Sequence, residues 1–175
     1  MVRQVRLYGD PVLREKTRHV EEITDEIKKL VVDLHDTCVA YKGFGLSAQQ
    51  VGSPWKVCVI RIPKPEQVLT LINPTLVASG CTEAAFEGCL SFPGVSLKIR
   101  RRWWAKLEAL DGDGKAIRLD AEKLLARVLQ HEVDHLDGVL FIDRADPRHL
   151  SRCNLTFGWE AARTVEPSSA APVEA

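Results

Sequence analysis

The sequence predicts an α+β fold in which antiparallel strands pack around one central helix, with a further helix toward the C-terminus. Three features predict it. Apolar residues recur at helical spacing in two stretches, about 25–41 and about 121–137. Between them, short runs rich in β-branched and aromatic residues are broken by proline, glycine and asparagine, at lengths that suit strands. The second helical stretch is apolar over much of its circumference, which places it at the centre of the domain.

Taken in chain order, Gly9-Asp10-Pro11 marks a turn inside Leu7 to Arg14. Thr24 suits an N-cap, and Ile23, Ile27, Leu30, Val31, Leu34 and Cys38 then form the buried stripe of a helix that Gly43 stops. Trp55 to Ile62, Val68 to Ile72 and Leu76 to Cys81 read as antiparallel strands separated by Pro63, Pro65, Asn73-Pro74 and Gly80. Val95 to Arg101 and Trp103 to Leu110 continue the series, and Asp111-Gly112-Asp113-Gly114 turns the chain into Lys115 to Leu119. Asp120 suits the N-cap of the 121–137 helix, and Gly138 suits its C-terminal stop. A shorter helix is expected over 147–162. The stretch Glu166 to Pro172 has the composition of a disordered tail, so residues 1–164 are expected to form one domain and 165–175 a tail.

With 175 residues, 45% of them hydrophobic, the chain can bury one substantial core and does not require two. Lys plus Arg number 24 and Asp plus Glu 24, so no global field draws the molecule to DNA or to an anionic membrane. The start, Met1-Val2-Arg3-Gln4-Val5-Arg6, lacks the apolar run of a signal peptide, and a cytoplasmic location is expected, with bacterial, organellar and viral sources all open. Cys38, Cys58, Cys81, Cys89 and Cys153 are odd in number and contain no Cys-x-x-Cys pair, which argues against a disulfide framework and a zinc ribbon.

The chemistry is concentrated in His131-Glu132-Val133-Asp134-His135. Residues four apart on a helix lie one above the other, so the two imidazoles can hold one metal ion with Glu132 beside it. Taken alone, the pattern also fits a charged helix face. Burying these polar side chains in an otherwise apolar helix costs roughly 2–7 kcal/mol for each group without a partner, however, and a metal supplies one. Two ligands leave the site incomplete. Asp143, Asp146 and His149 follow Gly138 too soon to supply a third, whereas Cys89 sits between a glycine and a turn-rich stretch, in Glu87-Gly88-Cys89-Leu90-Ser91-Phe92-Pro93-Gly94. Its thiolate would complete a Cys-His-His site with one open position for water.

Three motifs now stand in order: Gly43-Phe44-Gly45-Leu46-Ser47-Ala48-Gln49-Gln50, Glu87-Gly88-Cys89-Leu90-Ser91, and Gln130-His131-Glu132-Val133-Asp134-His135-Leu136-Asp137-Gly138. Together with the Gly9-Asp10-Pro11-Val12-Leu13-Arg14 start and Asn73-Pro74, they make the chain resemble the peptide deformylases over roughly residues 3–146. It departs from that family's pattern at Ser47, usually alanine, and Cys38, often methionine. The resemblance implies removal of the formyl group from N-formyl-methionyl nascent peptides, with release of formate. It implies Cys89, His131 and His135 as ligands of one divalent ion, Fe(II) in the cell, with zinc, nickel or cobalt able to occupy the site. It implies Glu132 as general base toward metal-activated water, and the Gln50 amide and Leu90 N–H as donors to the charge on the formyl oxygen.

For substrate binding, the resemblance assigns backbone pairing to Gly43, Phe44 and Gly45, with the stretch near Gly94 opposite, and a methionine pocket to Phe44, Leu124 and Val128. Taken alone, the glycines read as a turn and the apolar residues as core. Glu87 and Arg101 are expected as an ion pair behind Cys89, and Arg127 as a rim residue or a solvated charge. A monomer is expected, with transient ribosome association resting on arginines before Thr164, because Glu166 to Ala175 contains no basic residue. Two other readings share the same helix: a two-histidine metallopeptidase, weakened by the missing downstream ligand, and a purely structural zinc site, weakened by the missing fourth ligand.

Overall fold

The computed structural model describes residues 1–63 and 66–150. Five strands form one antiparallel meander in the order β1 (Gly45–Ser47), β2 (Val57–Pro63), β3 (Glu66–Gly88), β4 (Ser96–Leu110) and β5 (Ala116–Glu122). Helix α1 (Asp25–Ala40) lies on one face of β2, and α2 (Lys123–Leu136) on the other. Alternate residues of β2 therefore go to two different cores. Val57 and Val59 pack with Ile27, Leu30 and Leu34 of α1, while Cys58 and Ile60 pack with Ala126, Leu129 and Leu136 of α2. A strand covered on both faces reads as a continuous apolar run, as Val57-Cys58-Val59-Ile60 does. Leu129 is fully buried, so its truncation to alanine would cost about 2–5 kcal/mol.

Thr24 caps α1 as expected, its hydroxyl oxygen accepting from the Ile27 N–H at 3.5 Å, and Asp25 and Glu26 add favourable charge to the first turn. The strands differ from expectation in continuity. Val68 to Ile72 and Leu76 to Cys81 are parts of the single strand β3, because the turn-forming residues between them mark irregularities rather than ends. Register shifts fall between Ile72 and Thr75 and between Ser79 and Thr82, where Asn73 and Gly80 take positive φ of 53° and 80°. Asn73 is held there by two hydrogen bonds of 2.8 Å with the Val20 backbone. Val95 to Arg101 and Trp103 to Leu110 likewise merge into β4.

Asp120 is not the cap of α2. Strand β5 continues through it, pairing Asp120 with Lys106 and Glu122 with Trp104, so ladder hydrogen bonds displace the expected cap and the helix begins at Lys123. Its end behaves as expected, with Gly138 at φ 75° and so close to Arg14 that a Cβ would lie 2.5 Å from that residue's carbonyl oxygen. Of the helix expected over 147–162, the described residues hold a first turn, α3 (Pro147–Leu150). Residues 151–162, the tail 165–175 and Cys153 lie outside them. Among the described residues, no helix is long and apolar enough to cross a membrane.

Candidate metal centre and cleft

Helix α2 presents His131 and His135 one turn apart, with ring centroids 4.9 Å from each other. Strand β3 ends at Gly88, and the turn that follows, closed by the Phe92 N–H to the Cys89 carbonyl at 2.9 Å, delivers Cys89 to them. The Cys89 Sγ stands 3.2 Å from His135 Nε2, and one ligand atom from each of the three residues lies within 4.8 Å of the others. A thiolate and two imidazoles gathered this closely fit a single transition-metal ion. Burial favours a neutral His131, but hydrogen bonds with Cys89 and Glu87 outweigh it and hold the ring's pKa up to about 10, so this position favours positive charge. Burial, reinforced by the charge on His131, keeps His135 neutral, the form that binds metals.

Behind these three residues lies a buried ionic network. The Glu87 Oε1 accepts from Arg101 Nε at 2.9 Å and Arg127 Nη1 at 2.7 Å, while Oε2 accepts from Arg101 Nη2 at 3.0 Å and meets His131 Nδ1 at 3.1 Å. Burial alone would raise the Glu87 carboxyl, yet the bonds from His131 and Arg101 prevail and hold it down at about 2. Arg101 also pairs with Asp134, which Arg144 grips from outside. Arg127 is not a solvated charge. It is 8% exposed and also donates to the Ile99 and Glu83 carbonyls at 2.9 and 2.8 Å, so it belongs to the frame that orients His131.

In front of these three residues and the network behind them opens a cleft of about 720 Å³. Gly43, Phe44, Gly45, Gln50, Cys89, Leu90, Gly94, Leu124, Val128, His131 and Glu132 all line it, and His135 sits behind them at 1% exposure. Glu132 is buried, which pushes its carboxyl up to about 7, and its Oε2 has no hydrogen-bond partner among the described residues. Such a group is ready to exchange a proton near neutral pH. Gln50 reaches the same space, its Nε2 lying 3.5 Å from the Cys89 Sγ and donating to the Ser91 Oγ at 3.1 Å.

Sequence reasoning missed several of these contributors. Phe86, two residues from the end of β3, is an exposed apolar residue on the cleft wall, and Gln4, Val5 and Leu7 of the N-terminal segment also line it. Neither group had a local pattern to betray it. Ser47 and Ser91, both hydrogen-bonded to Gln50, were also missed, although Ser47-Ala48-Gln49-Gln50 has the Ser-x-x-Gln spacing in which the side chain of the fourth residue reaches back to the first.

Comparison with known proteins places this geometry in one family. The family model described as polypeptide deformylase matches residues 2–151. The peptide deformylase of Thermomicrobium roseum is 41% identical over 158 residues, covering 86% of this chain and 90% of the relative. Among solved structures, a peptide deformylase from Synechococcus elongatus in complex with actinonin superposes with a TM-score of 0.79 at 40% identity, covering 83% of this chain and 79% of that one. The peptide deformylase from Legionella pneumophila gives a TM-score of 0.83 at 34% identity, over 89% of this chain and 94% of that one. Matched along most of its length by the family model and by relatives of nearly its own size, this chain belongs to the polypeptide deformylase family.

Proposed function

We infer that the chain is a metal-dependent hydrolase that removes the N-terminal formyl group from formyl-methionyl polypeptides and releases formate. The observation that carries this reading is the gathering of Cys89, His131 and His135, the first two on the wall of a cleft that Glu132 and Gln50 also line and the third just behind it. Cys89, His131 and His135 would hold one divalent ion, Fe(II) in this reading, and such an ion would supply the Lewis acidity that lowers the pKa of water. Glu132, with a carboxyl near pH 7, takes the proton of the attacking water and returns it to the departing amine. The Gln50 Nε2 and the Leu90 N–H donate to the formyl oxygen as its charge grows.

Substrate placement follows from the sheet. Strand β1 stands at the end of the strand order with β2 on its inner side, which leaves its outer edge for an extended peptide. Gly43, Phe44 and Gly45 pair with the substrate main chain there, and Gly94, in the left-handed region at φ 76°, borders the other side. Phe44 and Leu124, each about half exposed, with Val128 deeper on α2, surround the methionine side chain. Residues 1–164 act as one catalytic domain and the enzyme works as a cytoplasmic monomer. Transient ribosome contact through arginines before Thr164 would weaken as salt is added.

The test is a formate-release assay on a formyl-Met peptide beside a casein cleavage assay, using Fe- or Ni-loaded protein. Formate without casein cleavage is the expected result. Casein cleavage would favour a peptidase, and neither activity in fully loaded protein would favour a structural metal.

A further inference from the structure

A carboxamide has two ends of nearly the same shape, so a glutamine can serve as a donor only if something decides which end faces the substrate. Gln50 is held at both ends. Its Oε1 accepts from the Ser47 N–H at 3.0 Å and from the Ser47 hydroxyl at 3.2 Å, and its Nε2 donates to the Ser91 Oγ at 3.1 Å. Both serines are buried, at 0% and 1% exposure, so water does not compete for these bonds. The backbone N–H of Ser47 cannot become an acceptor. Reversing the amide would therefore set its NH2 group against a fixed donor, and the observed orientation is the one that Ser47 dictates.

The two serines are also held relative to each other. The N-terminal segment spans the gap between their loops, with the Arg6 N–H donating to the Gln50 carbonyl at 2.7 Å and the Tyr8 N–H to the Ser91 carbonyl at 2.9 Å. Ser91 accepts from Nε2 and so does the Cys89 Sγ, at 3.5 Å, so the NH2 end is turned toward the gathered Cys-His-His donors, and a substrate oxygen arriving there would take over the weaker bond to sulfur. We propose that Ser47 and Ser91 form a clamp that fixes the Gln50 amide with its NH2 end toward the reacting formyl oxygen, making Ser47 a positioning residue for the reaction. The proposal rests on the reading of Gln50 as a donor to that oxygen. Preorganised donors matter because they need no reorientation as charge develops, so a loosened amide costs turnover before it costs binding.

The test is a double-mutant cycle on the metal-loaded full chain, reading kcat, KM and melting temperature for Ser47→Ala, Gln50→Ala and the double variant. Gln50→Ala should lower kcat roughly 10²- to 10³-fold. Ser47→Ala, which removes the hydroxyl's hydrogen bond and keeps the backbone one, should lower kcat about 2- to 13-fold with KM within about twofold. In the Gln50→Ala background, Ser47→Ala should add no further loss, and Ser91→Ala should behave the same way in its own cycle. If the Ser47 and Gln50 losses multiply, Ser47 acts by another route and the clamp is wrong. Full kcat in Ser47→Ala beside a damaged Gln50→Ala also overturns the clamp while leaving the role of Gln50 intact. Full kcat in Gln50→Ala sinks that role, and the clamp with it.

Discussion

Gly45 and Glu132 approach so closely that a Cβ built on the glycine would lie 2.7 Å from both Cγ and Cδ of the glutamate. The glutamate cannot easily retreat, being 4% exposed on a helix whose neighbouring residue is a metal ligand in the proposed site. A small residue is therefore demanded on β1 by Glu132, the proposed general base on α2. Gly45→Ala should displace the carboxylate, and a misplacement of this order lowers kcat by about 10²-fold. Metal analysis of the same preparation should show unchanged occupancy. Wild-type turnover in the alanine variant would mean that the Glu132 position is not critical.

Glu132 itself is adjacent to a ligand but is not one of the three gathered donors. Glu132→Ala should retain metal and lose about 10²- to 10⁴-fold in kcat, the range for a positioned acid or base. Steady-state kinetics on a formyl-Met peptide, with metal content measured in parallel, checks it. Retained turnover would assign the proton transfers to another group.

Much of this site was legible because its residues obey short local rules. The spacing of His131 and His135 fixes them on one helix face, and Cys89 stands out in a turn-rich stretch. The apolar stripe of α1 was legible for the same reason. What escaped was set by long-range pairing. Asp120 has the chemistry of a cap, but its register partner Lys106 keeps it in the ladder, and Asn73 looks like a strand end because the Val20 backbone that holds it is distant in sequence. Arg127 looked free for a similar reason, since the carbonyls of Glu83 and Ile99 that it binds come from β3 and β4.

In the proposed site, Cys89 is the ligand that α2 does not supply. Its removal leaves two imidazoles and an incomplete donor set, so Cys89→Ala should purify with much reduced metal under conditions that saturate the parent. Atomic absorption on both proteins measures this. Full occupancy in the variant would remove the thiolate from the ligand set.

The Glu87 carboxylate carries a further prediction, in acid stability. It neutralises Arg101 and Arg127 inside the protein, and substituting Glu87→Gln leaves both guanidinium groups without their shared counter-charge. Breaking a buried pair in this way costs about 3–5 kcal/mol. The folded carboxyl is held at about 2, below its ordinary value of 4.5 in an unfolded chain, so its contribution is fully present above pH 4.5 and declines as pH falls toward 2. Urea denaturation of parent and Glu87→Gln proteins should show a wide gap at neutral pH that narrows across that window. Comparing the two at each pH cancels the losses they share, such as protonation of the metal ligands. A gap that stays constant from pH 7 down to pH 3 would show that the charge of Glu87 is not what stabilises this network.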